Sequence, residues 1–323
     1  RGAASMTRVA VTGVAGSLGA RLVERLAREP SIDRIIGIDR RAPAVRSPKL
    51  GFHDLDVRDE RLCRVLRDER VSQVYHLAWV VEPTHRPDEE HDVNVKGTEN
   101  VLSGVLACGA NQFIYVSDAM AYGAYADNPP ALTETDPLRG NPDFQYACDK
   151  AFVEGIVASF ARAHPSVIVS VLRPAIIVGP EFDNYLTRLL GMPVTLADRA
   201  GAASLQFLHA DDAVEALWLV LQKRAGGAFN LAGPGSVPFD EIARILDVRV
   251  AKLPGIVAHA VARALWMARL PNSAPPSILA FARHSWLLSC GKAERILGFK
   301  PAHSSAEALD AFALGAGRGR PRR

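Results

Sequence analysis

Along the first half of the chain, short apolar runs alternate with longer stretches whose apolar residues recur every three to four positions. Thr7–Thr12 (TRVAVT), Arg34–Asp39 (RIIGID), Gly51–Asp56, Val74–Ala78, Gln112–Ser117 and Val167–Pro174 have the length and composition of strands. Ser17–Glu29, Asp59–Glu69, His91–Cys108 and Tyr146–His164 have helical periodicity. Strands apolar throughout and separated by helices predict an α/β fold, a doubly wound parallel sheet covered on both faces. Ligand sites in such sheets lie at the carboxyl ends of the strands.

The second half is less regular. Gly179–Leu205 is expected to be loop-rich, while Asp211–Gln222 (helix) and Ala228–Ala232 (strand) are expected to rejoin the sheet. From Pro238 onward the pattern is mostly helical, broken by Pro254, Pro271, Pro275 and Pro276. The expected division is a nucleotide-binding domain (6–178 plus 205–233) and a smaller, mostly helical substrate lobe (179–204 plus 234–315). Residues 1–5, ahead of Met6, look like an expression-vector leftover, and 316–323 like a disordered basic tail.

Composition narrows the function classes. With 48% hydrophobic and 23% charged residues over 323 positions, the chain is globular and long enough for a substantial core. The net charge is +3, but Arg318, Arg320, Arg322 and Arg323 supply it, so the body is near neutral and a nucleic-acid partner has little support. The four cysteines show no CxxC spacing and the nine histidines no HExxH, so neither a disulfide framework nor a metal site is expected. There is no apolar run long enough to span a bilayer; a soluble, cytoplasmic protein is expected.

The first predicted strand runs into Thr12-Gly13-Val14-Ala15-Gly16-Ser17-Leu18-Gly19. A glycine-rich turn from strand to helix lets backbone N–H groups meet a pyrophosphate at the positive helix end. Asp39, 20 positions after Gly19, ends the second strand, where a carboxylate accepts hydrogen bonds from a ribose diol. This is a Rossmann-type nucleotide site. Asp39 argues for NAD, whereas Arg40 and Arg41 leave NADP open, since either guanidinium can clasp a 2′-phosphate.

The GxxGxxG spacing resembles that of the extended short-chain dehydrogenases/reductases of the NAD-dependent epimerase/dehydratase family. The resemblance runs from about Thr7 to Phe312 and is dense up to Pro180. Asp56-Val57 resembles the family's adenine-contacting pair, and His76-Leu77-Ala78, followed by Trp79, its cofactor-lining fourth strand end. Asn94-Val95-Lys96-Gly97-Thr98 resembles its long-helix motif. Arg173-Pro174 with Gly179-Pro180 resembles its RP…GP segment, and Leu208-His209-Ala210-Asp211-Asp212 its second-half signature. The resemblance implies cofactor contacts from Gly13, Gly16, Ser17, Leu18, Gly19, Asp39, Arg40, Asp56 and Val57. It further implies Leu77, Ala78, Trp79, Asn94, Val116, Ser117, Tyr146, Lys150, Arg173, Pro174 and Ile176. It also implies a homodimer through the two long helices near His91–Cys108 and Tyr146–His164.

Tyr146-Ala147-Cys148-Asp149-Lys150 is a YxxxK, which puts both side chains on one helical face. A phenol must exchange a proton as hydride moves, and a lysine cation favours its phenolate. The family adds a serine or threonine at the fifth strand end. Here Ser117-Asp118-Ala119-Met120-Ala121-Tyr122-Gly123 places Asp118 there. A carboxylate accepts but does not donate, and it opposes tyrosinate formation; protonated, it donates to a carbonyl. Asp118 is thus a working substitute, or the hydroxyl comes from elsewhere or is dispensable, or the protein is a catalytically impaired nucleotide binder. Ser117 should face the other way by strand alternation. Asp118→Ser is expected to keep or raise turnover.

Ala119 and Met120 stand where nucleotide-sugar 4,6-dehydratases carry Asp-Glu, and Gly201–His209 lacks the Arg-Asp common in nucleotide-sugar enzymes. Gly255–Leu270 (GIVAHAVARALWMARL) is apolar around most of its circumference. It is expected to be a buried lobe helix, with a pocket wall or a docking surface as alternatives. Trp79, Asp118, Met120, Ala175 and Phe207 are the candidate substrate contacts, with Trp266, Phe281 and Trp286 extending an apolar pocket. His76, His209, Glu134 and Glu154 are expected to be structural. The leading expectation is an NAD(P)-dependent oxidoreductase on an apolar secondary alcohol or ketone, steroid-, polyketide- or acyl-like. An epimerase or lyase with transient oxidation is the alternative.

Overall fold

The computed structural model describes residues 7–199 and 203–317. Residues 1–5, the expected leftover, and 318–323 of the expected tail lie outside the described residues, whereas 316–317 form an ordered turn after the last helix, their N–H groups donating to the Phe312 and Leu314 carbonyls. The chain begins β1 (Thr7–Thr12), α1 (Ser17–Ala27), β2 (Ile32–Asp39), β3 (Leu50–Asp54), α2 (Arg61–Asp68) and β4 (Gln73–His76). It continues α3 (Pro87–Cys108), β5 (Gln112–Val116), α4 (Gln145–Ala163), β6 (Ile168–Pro174) and β7 (Ile176–Val178). Then come α5 (Tyr185–Leu190), β8 (Val194–Asp198), β9 (Ser204–Leu205), β10 (Phe207–His209), α6 (Ala210–Lys223) and β11 (Gly227–Leu231). The C-terminal part holds β12 (Val237–Pro238), α7 (Phe239–Leu246), β13 (Arg249–Leu253), α8 (Gly255–Met267), α9 (Leu279–Arg283), α10 (Gly291–Leu297) and α11 (Ser305–Gly315).

Among the described residues, seven strands form one sheet in the order β3-β2-β1-β4-β5-β6-β11, and every pairing in it is parallel. The order reverses between β1 and β4, which opens a crevice at their carboxyl ends. The sheet is buried on both faces, as its apolar runs require. Val9, Val11, Ile35 and Tyr75 pack with α1 and α6 residues on one side. Ala10, Ile36, Phe113 and Tyr115 pack with α2, α3 and α4 residues on the other.

The second half is loop-rich and then mostly helical, as expected, with short regular elements added to each part. Gly179–Leu205 is not simply loop: it holds α5, capped by Asn184 and Thr187, and β8. The region after Pro238 is not only helical, because β13 pairs in parallel with β8. These strands are five residues each, too short and mixed for a clear alternation. The helix over Gly255–Leu270 is also not buried. In α8 only Ala258 and Ala262 are buried, while Ile256 is 89% and Met267 70% exposed. No helix of the described residues is long and apolar enough to cross a membrane.

Candidate active site

The site begins with a steric constraint. Gly13 turns the chain with φ of +74°, and a Cβ there would lie 2.6 Å from the Ala78 nitrogen. Glycine lets the ends of β1 and β4 pass this close. A Cβ on Gly19 would lie 2.3 Å from the Gly13 carbonyl oxygen. Gly16 is different: its Cβ would meet nothing nearer than that oxygen at 3.4 Å, and the residue lines an open cleft. Gly16 is also the N-cap of α1, and no side chain caps that helix. The first N–H groups of α1 are therefore left for an anion, as a pyrophosphate requires.

The cleft has a volume of about 870 Å³. From the β1–β3 side it gathers Gly13, Gly16, Ser17, Leu18, Gly19, Asp39, Arg40, Asp56 and Val57. From the β4–β6 side come Leu77, Ala78, Trp79, Val116, Ser117, Asp118, Tyr146, Lys150, Pro174 and Ala175. Asp39 steadies the glycine turn, its carboxylate accepting the N–H groups of Ala15 (3.0 Å) and Arg41 (3.1 Å). Arg58 grips Asp56 and, chiefly through that hydrogen bond, holds its carboxyl below the usual range. Trp79 Nε1 is buried in this wall without a hydrogen-bond partner among the described residues. Uncapped helix N–H groups, a carboxylate at the end of β2 and an unpaired donor together fit a dinucleotide.

Several expected contacts stand elsewhere. Asn94 lies behind the cleft, where its side chain accepts the Val80 N–H (3.0 Å) and donates to buried Asp149 (3.0 Å). It shapes the wall through these bonds instead of lining it. Arg173 is buried and spent on Glu154 (2.7 Å) and the Tyr122 hydroxyl (2.6 Å). Phe207 is fully buried under α11, while Ile176 and Met120 line a second cavity. Of the aromatics expected to extend a pocket, Phe281 and Trp286 line that cavity and Trp266 does not. His76 is locked between Thr12 (2.8 Å) and Thr98 (2.9 Å), and burial, with Lys150 nearby, pushes its pKa down to about 3.

The reactive centre forms where β5 meets α4. Asp118 caps a short 3-10 turn, Ala119–Tyr122, its Oδ1 accepting the Met120 N–H at 2.7 Å. Its Oδ2 accepts the Tyr146 hydroxyl at 2.9 Å. Lys150, one turn further along α4, donates to the Val116 carbonyl (2.9 Å) and lies 3.7 Å from the centre of the Trp79 ring. Ser117 faces away, donating to Glu154 at 2.5 Å. Burial pushes the Asp118 carboxyl up to about 6, against the Met120 N–H, Lys150 and Tyr146. Burial lowers Lys150 to about 7, against the three nearby carboxylates of Asp118, Glu154 and Asp149. Burial and Asp118 together raise the Tyr146 phenol well above its ordinary value. The lysine therefore does not secure a tyrosinate here; the carboxylate holds the phenol protonated.

A flap over the cleft was not legible from the chain's pattern. Phe182, Asp183, Asn184, Tyr185 and Arg188 line it. Ser17 donates to the Asp183 carbonyl at 2.8 Å, and Arg188 pairs with Asp183 (3.1 Å) and Glu82 (2.5 Å). The Asn184–Thr187 capping pair was the one local signal, and it says nothing of what the helix faces. Among the described residues His209, Asp212 and His303 also converge, their ligand atoms within 4.8 Å of one another. Asp212 is spent on the N–H groups of Ala302 and His303 and on the His303 ring, so the cluster pins the chain after α10 to α6.

The second cavity, of about 170 Å³, adjoins the cleft at Leu186, which lines both. Met120, Ile176, Leu190, Leu205, Ile242, Phe281 and Trp286 are among its walls. Among the described residues no charged side chain lines it, and its polar side chains are Thr195, Asn272 and Ser273.

Comparison with known proteins places this geometry. An uncharacterised protein of Mycobacterium tuberculosis is 26% identical, over 96% of this chain and 84% of its own length. The UDP-glucose 4-epimerase of Erwinia amylovora is 32% identical over 177 residues, 51% of this chain and 52% of that one. The crystal structure of UDP-glucose 4-epimerase with UDP-glucose from Thermotoga maritima superposes with a TM-score of 0.75 at 21% identity, covering 96% and 99% of the two chains. The dTDP-glucose 4,6-dehydratase DesIV from Streptomyces venezuelae, with NAD and TYD bound, gives 0.73 at 24%, covering 96% and 97%. At these identities the two structures attest the fold. The model of the NAD dependent epimerase/dehydratase family matches residues 9–232, from β1 through the last strand of the sheet, and the chain therefore belongs to that family.

Proposed function

We propose that this protein exchanges hydride between NAD and a secondary alcohol or ketone carried on an apolar molecule. The observation that carries the reading is the second cavity. Its walls are uncharged, it adjoins the cleft, and Met120 in its wall is two residues from Asp118. A nucleotide diphosphate would find no cation there, whereas an alkyl or ring system loses water contact, worth about 25 cal/mol per Å² of apolar surface. Asp39, at the end of β2, supports NAD over NADP, because a 2′-phosphate there would meet like charge.

NAD, when bound, supplies the acceptor or donor of hydride. In oxidation, the Tyr146 oxygen takes the alcohol proton as Tyr146 hands its own to Asp118. The proton comes to rest on a carboxylate that titrates near 6 and is neutralised by it, and no tyrosinate has to form. In reduction the protons run back. Lys150, beneath Trp79, would set its ammonium, when protonated, against Asp118 and help hold a bound dinucleotide. We further propose a dimer through α3 and α4, which leave Leu106 (45%) and Phe152 (55%) exposed; light scattering in solution checks it.

The decisive assay measures NADH-dependent reduction of 2-alkanones of increasing chain length. KM should fall about four-fold per methylene, from about 0.8 kcal/mol each, until the cavity is full. Flat KM values would remove the cavity from the substrate site. A second reading, an epimerase that oxidises and restores its substrate, is favoured by the likeness to the Erwinia epimerase. Mass spectrometry of nucleotide released from denatured protein separates the two. A net oxidoreductase exchanges its cofactor and comes out largely empty; an epimerase retains stoichiometric NAD⁺.

A further inference from the structure

From Val248 to Ala293 the chain has no aspartate or glutamate, yet it carries Arg249, Lys252, Arg263, Arg269, Arg283 and Lys292. The whole chain is only +3, so these 46 residues form a basic segment on a near-neutral body. α8 lies at its centre. Lys252 and Arg283 are paired, with Asp240 (2.8 Å) and Asp198 (3.0 Å). Arg263, within α8, and Arg269, just beyond it, are exposed and have no carboxylate partner among the described residues.

The apolar side chains of α8 face the same solvent. Ile256, Ala260, Ala264 and Met267 are all exposed and follow one another at spacings of four, four and three, which is one stripe of a helix. Ile256 is 89% exposed and Met267 70%, and Val257 (44%) and Leu270 (48%) flank them. The opposite side of α8, through Ala262 and Leu265, lines the apolar cavity. At about 1.5 Å per residue the 13-residue helix is about 20 Å long. That is too short to cross a bilayer and suited to lying flat in its interface.

We propose that α8 is a docking surface for an anionic lipid bilayer. Protruding aliphatic side chains beside unpaired arginines match the charge and depth of a lipid headgroup layer, and the carboxylate beside the start of α8, Asp198, is largely buried and neutralised by Arg283. The charge pattern disfavours a second copy of this chain as occupant. A two-fold contact would bring the same face against itself and set Arg263 and Arg269 against their own copies, with no carboxylate on the segment to meet them. The inference stands apart from the reaction proposed above, because it concerns where the protein sits and is read without substrate.

The test is co-sedimentation of the full chain with vesicles of phosphatidylcholine alone and of an equimolar mixture with phosphatidylglycerol. Binding should appear with the mixture, be weak or missing with phosphatidylcholine, and decline as salt shortens the Debye length. Arg263→Glu with Arg269→Glu should weaken binding at least about five-fold per cation. Ile256→Ser with Met267→Ser should weaken it comparably at unchanged salt dependence. All four side chains are exposed, so Tm should not move, and an unchanged Tm separates lost docking from lost folding. Equal binding to both vesicle types, or none to either, overturns the proposal. So does binding that the α8 variants leave intact, which would assign it to the C-terminal arginines. A concentration-dependent doubling of mass abolished by Met267→Ser, without vesicle binding, would make a second copy the occupant and also overturn it.

Discussion

Asp118→Asn tests the proton relay directly. The substitution keeps shape and the ability to accept the Tyr146 hydroxyl, now at 2.9 Å, but removes the group that stores the proton. General acid–base transfer contributes about a hundred- to ten-thousand-fold, so kcat should fall within that range while KM for a ketone substrate changes little. The pH profile is the sharper readout. Asp118 titrates near 6 in the folded protein, raised from 3.8. Alcohol oxidation needs it ionised, so the rate should climb with pH through about 6; ketone reduction needs it protonated and should decline over the same interval. Asp118→Asn should lose this limb in both directions. Asp118→Ser restores the family's hydroxyl, should keep or raise turnover, and should move the limb upward towards the tyrosine. Stability gives an independent check. A carboxyl raised by about two units carries a penalty that is absent below pH 4 and complete above about 6, close to 3 kcal/mol at about 1.36 kcal/mol per unit. Asp118→Asn should therefore raise Tm at pH 7 and not at pH 4. An Asp118→Asn protein with unchanged turnover and an unchanged limb near 6 would refute the relay.

Three further outcomes follow from the geometry. Gly16→Val should leave Tm near that of the parent, since only the Gly13 oxygen lies near its Cβ, yet abolish NAD binding by calorimetry; Gly13→Ala should lose both, because its Cβ meets backbone at 2.6 Å. Glu154→Ala strands the buried Arg173 guanidinium and releases Ser117, and should cost about 3–5 kcal/mol in denaturant unfolding. Lys150 is lowered from 10.5 to about 7 by burial, so a stability penalty builds as pH falls below about 10.5 and is complete below about 7; Lys150→Met should raise Tm at pH 6 and flatten the dependence between 7 and 9, followed by thermal scans.

The nucleotide half of the site was legible because its signals are local. Gly13 and Gly19 answer to a turn a few residues long, Asp39 to the end of the next strand, and Tyr146 and Lys150 to one turn of helix. Each is a short-range backbone demand that one stretch of chain expresses alone. Asn94 and Arg173 carried equally clear motifs, yet Asn94 serves the cleft from behind and Arg173 is spent on Glu154 and Tyr122. A motif records that a residue type is needed, not which side of a wall its side chain takes.

The order of strands and helices, the glycine turn and the YxxxK helix were determined by the sequence itself, through periodicity, propensity and spacing. The pairing of Asp118 with Tyr146, the flap at 182–188, the β8–β13 pair and the exposure of α8 were decided only by tertiary structure. All four join residues distant in sequence or depend on what packs against an element. An apolar helix has the same pattern whether a neighbour covers it or solvent does. A carboxylate beside a phenol takes its pKa from burial and from Lys150, neither of which any one segment contains. Local chemistry sets the elements, and the summed environment of non-local neighbours sets how they behave.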